Sequence, residues 1–293
     1  MTSSTTAAVT AESTSRFAQT DRYRIHYHDV GTGHPVVLLH GSGPGATGWS
    51  NFWPNIGYLA ASHRVIAVDM PGWGQSDTPN TAIGWDPVLD LVGLLDLLEI
   101  DRAALVGNSM GGMTSIGTAV RFPERVSHLV TMGAPIPGVN IFSATGLSEG
   151  MKVLLHATSE PSPENLKRLV QIMCYDQSMA TDELAELRYQ AAIANRDHLN
   201  RFFAMFTNPA VPPFGEFFEL GPRIADIAAP TLAIHGRDDR VLHYENSLRL
   251  VATIPDSRLL LLSRCGHWAQ IEHADEFNRI LADFVDHRSD QSV

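Results

Sequence analysis

This 293-residue sequence is poor in the features that mark several classes of protein. It contains only two cysteines, Cys174 and Cys265, so the disulfide framework of a small secreted domain is not expected. Its apolar runs are interrupted by charged residues or glycine well before the roughly 20 residues that a membrane-spanning helix needs. We therefore expect no membrane segment, and the sparse cysteines favour the reducing cytoplasm.

Positive charge is also scarce. Lysine and arginine together number 21 against 32 aspartates and glutamates, the net charge is -11, and the basic residues do not cluster. Such a surface repels the phosphates of nucleic acids and the headgroups of an anionic membrane, so neither is expected as a partner. An anionic small-molecule substrate would need a local basic anchor.

The first residues, MTSSTTAAVTAES, are rich in serine, threonine and alanine. They lack the basic start and the apolar run of a secretory signal peptide. Residues 1–15 are therefore predicted to form a flexible tail on a cytoplasmic protein.

Apolar, β-branched runs alternate with amphipathic stretches along much of the chain. This alternation is typical of an α/β fold, in which helices cover both faces of a mostly parallel sheet. The first strand is expected to be antiparallel. The predicted strands are Tyr23–Asp29, Pro35–His40, Arg64–Asp69, Ala103–Asn108, His128–Gly133, Pro230–Gly236 and Arg258–Ser263.

The strand pattern disappears between residues 134 and 225. Helical segments rich in leucine, methionine and phenylalanine take its place. This change predicts a helical cap over residues 135–225, inserted into a core formed by residues 16–134 and 226–288.

The motif G-N-S-M-G-G, Gly107–Gly112, follows an apolar strand and precedes a helix-like run, Met110–Arg121. A serine in a G-x-S-x-G motif between a strand and a helix is typical of a nucleophile elbow, where a tight turn presents the hydroxyl group to substrate. Ser109 is therefore the candidate nucleophile. The alternative is a serine that only caps the helix.

Hydrolases with this elbow supply their acid and their histidine later in the chain, after further strands. Asp239 follows the strand PTLAIHG by three residues, and His267 follows the last strand in R-C-G-H-W. In such a triad the histidine takes the proton of the serine and the carboxylate orients the imidazole. Asp238 is the competing acid, with a turn or an ion pair to an adjacent arginine as its other interpretation.

The glycine-rich segment HGSGPGATGWSN, His40–Asn51, follows the first central strand. A dinucleotide-binding loop is disfavoured because Pro44 is poorly placed for that turn and the expected acidic residue about 20 positions later is absent. An oxyanion hole is the better interpretation, with the backbone N–H groups of Ser42 and Met110 as donors. His40 is expected to be structural.

Thirteen histidines raise the question of a metal site. His26 and His28 would share one face of a strand because side chains alternate there. A third ligand is not evident from the sequence, so no metal is expected.

Four segments together resemble one family, the meta-cleavage product hydrolases. They are HGSGPGATGWSN, GNSMGG, HGRDDRV and RCGHWAQIEHADEFN, within a similarity that spans about Glu12 to Phe284. The resemblance implies an α/β-hydrolase fold with an eight-stranded sheet. It also implies cleavage of the C5–C6 bond of a 2-hydroxy-6-oxohexa-2,4-dienoate to 2-hydroxypenta-2,4-dienoate and a carboxylic acid. The resemblance implies a homo-oligomer, and it implies no cofactor.

The same resemblance assigns substrate-binding residues. Arg188 corresponds to a cap arginine that binds the dienoate carboxylate, although it could instead be an exposed helix residue. Asn108 and Trp268 adjoin catalytic residues, whereas Asn51 could merely cap a helix or a turn. Gly41 and Gly43 belong to the glycine-rich loop that contacts the substrate.

Two other functions remain open from the sequence. A carboxylesterase or lactonase would share the triad but would need no carboxylate anchor, so Arg188 discriminates between the two enzymes. A ligand-binding receptor on a hydrolase scaffold is the alternative from a different class, since a fold does not fix a function. The apolar cap residues that could line the acyl side of the pocket, or form ordinary core, are Phe142, Met151, Met173, Phe202, Phe203 and Met205.

Overall fold

The computed structural model describes residues 8–78, 85–136, 147–207 and 215–287. These residues form one sheet of eight strands, in the order β1-β2-β4-β3-β5-β6-β7-β8. The strands are β1 (Ser15–Gln19), β2 (Arg24–Val30), β3 (Pro35–Leu39), β4 (Arg64–Val68), β5 (Ala103–Asn108), β6 (Val126–Met132), β7 (Thr231–Gly236) and β8 (Ser257–Leu262). The pairs β1–β2 and β2–β4 are antiparallel, and the other pairs are parallel. The predicted α/β-hydrolase architecture is confirmed.

The structure departs from the sequence analysis at the N-terminus. A short helix, α1 (Ala11–Thr14), and strand β1 occupy part of the segment that we expected to be a flexible tail. Thr10 and Ser13 form a capping box that fixes the helix start, and the hydroxyl of Thr14 lies 2.9 Å from Nδ1 of His28. The capping box and this contact with β2 order a polar segment that shows no apolar periodicity in the sequence.

Helices cover both faces of the sheet. They are α2 (Gly48–Leu59), α3 (Pro87–Leu97), α4 (Met110–Arg121), α9 (Glu245–Thr253), α10 (Ala269–Glu272) and α11 (Ala274–Asp286). Val37 and Leu39 of β3 belong to the apolar cluster that includes Ile116 of α4. Their neighbours Val36 and Leu38 belong to the opposite cluster, with α2 and α11. This alternation buries both faces of β3, as expected for a central parallel strand.

Between β6 and β7 the described residues form α5 (Glu149–Ser159), α6 (Pro163–Met173), α7 (Asp182–Ala194), α8 (Arg196–Thr207) and a 3-10 segment, Gly215–Asp226. The apolar cluster of these helices includes Leu242 and Trp268, which follow β7 and β8. The helices therefore pack over the carboxyl ends of these strands. Residues 137–146 and 208–214 of the expected cap, including Phe142, lie outside the described residues.

None of the helices in the described parts of the chain is both long enough and apolar enough to span a membrane.

Candidate active site

Ser109 lies in the turn between β5 and α4. Its backbone has φ +53° and ψ -114°, a conformation that residues with a side chain rarely adopt. The N–H of Ser109 donates to the carbonyl of Met132 at 2.8 Å. Its side chain makes no capping hydrogen bond to α4, so the interpretation as a helix cap is wrong. The strained turn instead leaves the hydroxyl group available for chemistry.

The glycines around Ser109 are required by close packing. A Cβ on Gly107 would overlap the backbone of Gly111, and a Cβ on Gly111 would overlap the carbonyl oxygen of Leu39. Only glycine lets α4 begin this close to β3 and β5. The close approach places Ser109 at the carboxyl edge of the sheet.

Asp239 and His267 form a buried pair at the same edge. Oδ2 of Asp239 lies 2.7 Å from Nδ1 of His267, and its Oδ1 accepts the N–H groups of Val241 and Leu242 at 2.7 and 3.0 Å. Burial alone would raise the pKa of Asp239. The charge of His267 and hydrogen bonds from His235 and His267 outweigh burial, so this pKa is held well below its usual range.

The competing acid, Asp238, faces elsewhere. Its carboxylate lies 3.8 Å from the guanidinium of Arg237 and is partly exposed. Its N–H donates to the carbonyl of Cys265. Asp239 is thus the acid that contacts His267, and Asp238 is a turn residue with a weak surface ion pair.

Asn108 joins the elbow to the histidine loop. Its Nδ2 donates to the carbonyl of Met132 and to the carbonyl of His267, each at 3.1 Å. Gly133 faces the ring of His267, and a Cβ there would lie 2.7 Å from Nδ1. The N–H of His267 donates to the carbonyl of Met173 in the cap at 2.7 Å. The histidine backbone is therefore held by both the sheet and the cap.

The glycine-rich loop lies against the nucleophile. A Cβ on Gly41 would be 3.2 Å from the Cβ of Ser109. Nδ1 of His40 donates to the carbonyl of Gly41 at 2.7 Å, and its Nε2 accepts the N–H of Met70 at 2.9 Å. These contacts are those of a structural histidine, and they hold the backbone that leads into Ser42.

Met110 is the first residue of α4, so its N–H is one of the helix donors without a partner in the helix. The helix dipole adds a partial positive charge at this end. Ser42 and Met110 are both at least nine-tenths buried. Donors in such a position favour an oxygen that gains negative charge beside Ser109.

Arg188 of α7 is 4 % exposed, so the interpretation as an exposed helix arginine is wrong. Its Nη2 donates to the carbonyl of Pro44 at 3.0 Å, and its guanidinium lies over the ring of Trp268, 5.0 Å from the centroid. A Cβ on Gly43 would lie 3.3 Å from the same Nη2. The cation is thus held between the glycine-rich loop and the residue after His267.

This buried cation has no carboxylate partner among the described residues. Arg188 forms none of the ion pairs found there, and its buried Nε makes no hydrogen bond. Burial lowers the pKa of Arg188 to about 10. A buried guanidinium that is unpaired within the protein is arranged to bind an anion.

Asn51 and Asn108 each bury a side-chain oxygen that has no partner among the described residues. Asn51 lies inside α2, and the helix is capped by Thr47, so the interpretation of Asn51 as a cap is wrong. Unpaired buried amide oxygens are costly unless a ligand or water donates to them. Both residues are therefore candidates for binding substrate hydroxyl groups.

The histidines that suggested a metal site are engaged in hydrogen bonds. Nδ1 of His26 lies 2.7 Å from Oδ2 of Asp69, and its Nε2 lies 2.8 Å from the hydroxyl of Ser15. His28 contacts the hydroxyl of Thr14. No group of three metal-ligating side chains was found in the described parts of the chain.

Residues 34–274 match the sequence model for the alpha/beta hydrolase fold. A relative from Cupriavidus pinatubonensis, a 2-hydroxy-6-oxononadienedioate/2-hydroxy-6-oxononatrienedioate hydrolase, is 44% identical over 95% of this chain and 97% of its own length. A 2-hydroxy-6-oxo-6-phenylhexa-2,4-dienoate hydrolase from Burkholderia cepacia is 43% identical over 90% of this chain and 91% of its own. The chain belongs to the meta-cleavage product hydrolases of the α/β-hydrolase fold.

Solved structures agree with this membership. The meta-cleavage product hydrolase of Pseudomonas fluorescens IP01 has a TM-score of 0.82 and 37% identity, over 92% of this chain and 96% of that one. A naproxen esterase from Bacillus subtilis has a TM-score of 0.74 but only 20% identity, over 93% and 91% of the two chains. At that identity the esterase shares the fold, and nothing more follows from it.

One residue of this hydrolase site was not predicted from the sequence. His235 is fully buried in β7, and its Nε2 lies 3.2 Å from Oδ2 of Asp239. A histidine in an apolar strand resembles an ordinary core residue. Its distance of four residues from Asp239 was the available signal.

Proposed function

We propose that this protein hydrolyses the C5–C6 bond of a 2-hydroxy-6-oxohexa-2,4-dienoate, giving 2-hydroxypenta-2,4-dienoate and a carboxylic acid. The observation that carries the proposal is the buried, unpaired guanidinium of Arg188 beside a triad of Ser109, His267 and Asp239. The names of the relatives support the same substrate class.

Arg188 binds the substrate carboxylate and draws electrons towards that end of the dienoate. Trp268 lies beneath the guanidinium, and Gly43 lies beside it. The amide groups of Asn51 and Asn108 bind polar groups of the dienol. A proton shift, mediated by His267, converts the dienol to a keto tautomer that can accept the electrons released by carbon-carbon cleavage.

Ser109 then attacks the C6 carbonyl while His267 takes the serine proton, and Asp239 stabilises the imidazolium. The N–H groups of Ser42 and Met110 hold the tetrahedral oxyanion. The C5–C6 bond breaks, its electrons shift through the carbon chain to the C2 carbonyl oxygen, and that oxygen takes the proton held by His267. The 2-hydroxypenta-2,4-dienoate is released, and the acyl group remains on Ser109. Water, activated by His267, releases the carboxylic acid.

The two alternative functions fit the site less well. An esterase or lactonase gains nothing from a buried cation without a partner, which costs free energy unless an anion binds it. A receptor gains nothing from the strained backbone of Ser109, since strain of this kind is kept where it serves chemistry.

We also propose a cytoplasmic location from the sparse cysteines, a homo-oligomer from the family resemblance, and bounds of 135–225 for the helical cap from the loss of the strand pattern there. Subcellular fractionation and light scattering at several concentrations test location and assembly. A membrane-bound fraction or a strict monomer would contradict the respective proposals.

The test of function follows the loss of visible absorbance of 2-hydroxy-6-oxodienoates with methyl, carboxyethyl, isopropyl, phenyl and steroid-like C6 substituents. A p-nitrophenyl ester serves as the control substrate. We expect one dienoate to be strongly preferred, which would identify the acyl group. Turnover of the ester with every dienoate untouched would contradict the proposal and favour a serine esterase.

A further inference from the structure

His235 makes polar contacts through both nitrogens of its buried ring. Its Nε2 lies 3.2 Å from Oδ2 of Asp239 and 2.8 Å from the carbonyl oxygen of Leu242. Its Nδ1 lies 2.7 Å from the hydroxyl of Ser247 in α9. The residue is fully buried, so water does not compete for these contacts.

The partners of the ring define its tautomer. A carboxylate oxygen and a carbonyl oxygen can only accept, so Nε2 must carry a hydrogen and donate to them. The hydroxyl of Ser247 donates to Nδ1, which satisfies the neutral ring completely. His235 is therefore oriented by two acceptors at Nε2 and by one hydroxyl group at Nδ1.

Oδ2 of Asp239 consequently receives hydrogen bonds from two imidazoles, His235 at 3.2 Å and His267 at 2.7 Å. Oδ1 is occupied by two backbone N–H groups, so the carboxylate cannot rotate without losing several bonds. We propose that His235 is a positioning residue of the triad, which aims Oδ2 at His267 and moderates how strongly Asp239 stabilises the imidazolium. The inference rests on the triad role of His267 in the proposed function.

The direction of the effect follows from charge sharing. A hydrogen bond from His235 disperses the negative charge of Asp239 whether or not His267 is protonated. Without that bond, more of the charge is available to the protonated ring of His267. Loss of the donor should therefore make His267 harder to deprotonate, and the acid limb of activity should move to higher pH.

Other titratable groups surround this pair. Cys265 interacts electrostatically with Asp239 and also with Asp238, Glu272 and Cys174. Cys174 in turn interacts with Glu272, Arg188, Asp176 and Arg240. Arg240 is bound to cap carbonyls, and Arg237 lies against Asp238. Burial raises the pKa of both cysteine thiols, which keeps them neutral. In every variant of His235 or Ser247 these groups are unchanged, so they do not produce a difference between variants.

Three variants separate positioning from packing. His235→Phe keeps a ring but removes all three polar contacts of the imidazole, and His235→Gln places an N–H group near the position of Nε2. Ser247→Ala leaves the imidazole in place and removes the bond that orients it. Urea unfolding of each variant measures the structural contribution independently.

The readouts are an NMR titration of the His267 ring, which needs no substrate, and kcat/KM for the preferred dienoate against pH. In His235→Phe we expect the midpoint of the NMR titration and the midpoint of the acid limb of kcat/KM each to rise by about half to one pH unit. We also expect kcat to be lower by roughly ten- to hundredfold. His235→Gln should recover most of both effects, and Ser247→Ala should show a smaller shift.

A His235→Phe variant that loses stability but leaves the His267 midpoint unchanged would overturn the inference, because His235 would then serve packing alone. Equal midpoints in the Phe and Gln variants would also overturn it. Failure of the proposed function is a separate result. In that case the NMR midpoint moves as expected while no dienoate is cleaved by the unmutated protein.

Discussion

Two regions of this protein combine a serine with a histidine and an aspartate, and the contact between histidine and aspartate is closely similar in both. In the candidate active site Nδ1 of His267 lies 2.7 Å from Asp239. Near the N-terminus Nδ1 of His26 lies 2.7 Å from Asp69, and its Nε2 lies 2.8 Å from the hydroxyl of Ser15. Each aspartate also accepts two backbone N–H groups.

The two regions differ in what surrounds the serine. Ser109 has φ +53° and directly precedes the 12-residue helix α4. Ser15 has φ -62° and ψ 129°, an ordinary extended conformation, and it follows the four-residue helix α1. A serine-histidine-aspartate chain therefore does not by itself make a nucleophile. The active site differs from a structural hydrogen-bond chain in two features. They are the strained turn at Ser109 and the candidate oxyanion-hole N–H groups of Ser42 and Met110.

The largest difference between the regions should appear on removing each serine. Ser109→Ala should lower kcat for the preferred dienoate by roughly 10⁴- to 10⁶-fold, because the attacking oxygen is lost. Ser15→Ala is the matched control and should keep wild-type turnover. Absorbance assays of both variants check this. A Ser109→Ala variant with wild-type turnover, or an inactive Ser15→Ala variant that is folded, would reverse the assignment.

Removing each carboxylate should separate activity from stability. Asp239→Asn should lower kcat about 10⁴-fold, because the amide favours the wrong tautomer of His267. Asp69→Asn should leave kcat within a few-fold of wild type but lower the free energy of unfolding by about 3 kcal/mol, since His26 and two backbone donors lose a charged partner. Kinetics and urea unfolding measured on the same preparations check both effects. Equal losses of kcat would contradict a purely structural role for Asp69.

Arg188→Ala tests the buried cation of the active site. We expect kcat/KM for the dienoate to fall roughly 10²- to 10³-fold, from the loss of a buried, charge-assisted contact. Turnover of a p-nitrophenyl ester should change only a few-fold because it has no carboxylate. Arg196→Ala, a cap arginine that binds carbonyls of α5, is the matched control. A parallel loss on both substrates would indicate misfolding or a different binding mode.

The two aspartates should also contribute to the acid stability of the protein. Burial would raise the pKa of Asp69, but the hydrogen bond from His26 and the N–H of Gln75 hold it below its usual range, as His267 and His235 do for Asp239. A carboxyl group with a lowered pKa stabilises the fold above the unfolded value of about 3.9 and loses this contribution as pH falls through the folded value. The free energy of unfolding, measured with urea between about pH 6 and about pH 2, should therefore depend less on pH in Asp69→Asn than in the unmutated protein. An unchanged slope would contradict the assigned role of Asp69.

The smallest effect concerns Ser15 itself. Ser15→Ala should lower the free energy of unfolding by about 1 kcal/mol, the usual contribution of one hydrogen bond. Ser13→Ala, in the exposed capping box of α1, is a control for general effects on this segment. Reaction of Ser15 with a fluorophosphonate in the Ser109→Ala variant would contradict the structural role of Ser15.

The sequence was informative where local patterns carry the chemistry. The apolar strand before Ser109, the glycines after it and the strands before Asp239 and His267 could all be recognised by periodicity and spacing. Arg188 required resemblance to a family, because its burial depends on how the cap packs over the glycine-rich loop.

Other features depend on contacts between distant segments, which no local pattern contains. Strand β1 is short, partly exposed and polar, and it is defined by its pairing with β2. The role of His235 depends on the carbonyl of Leu242 and the hydroxyl of Ser247. The serine-histidine-aspartate chain at Ser15 joins residues from β1, β2 and the end of β4, so its resemblance to a triad was also invisible in the sequence.

The nucleophile is identified most directly by quenching the reaction with the preferred dienoate during its first turnovers and mapping the acylated residue by mass spectrometry. We expect the acyl group of the substrate on the peptide that contains Ser109, with the peptide that contains Ser15 unmodified. An acyl group on Ser15 or on any residue other than Ser109 would contradict it.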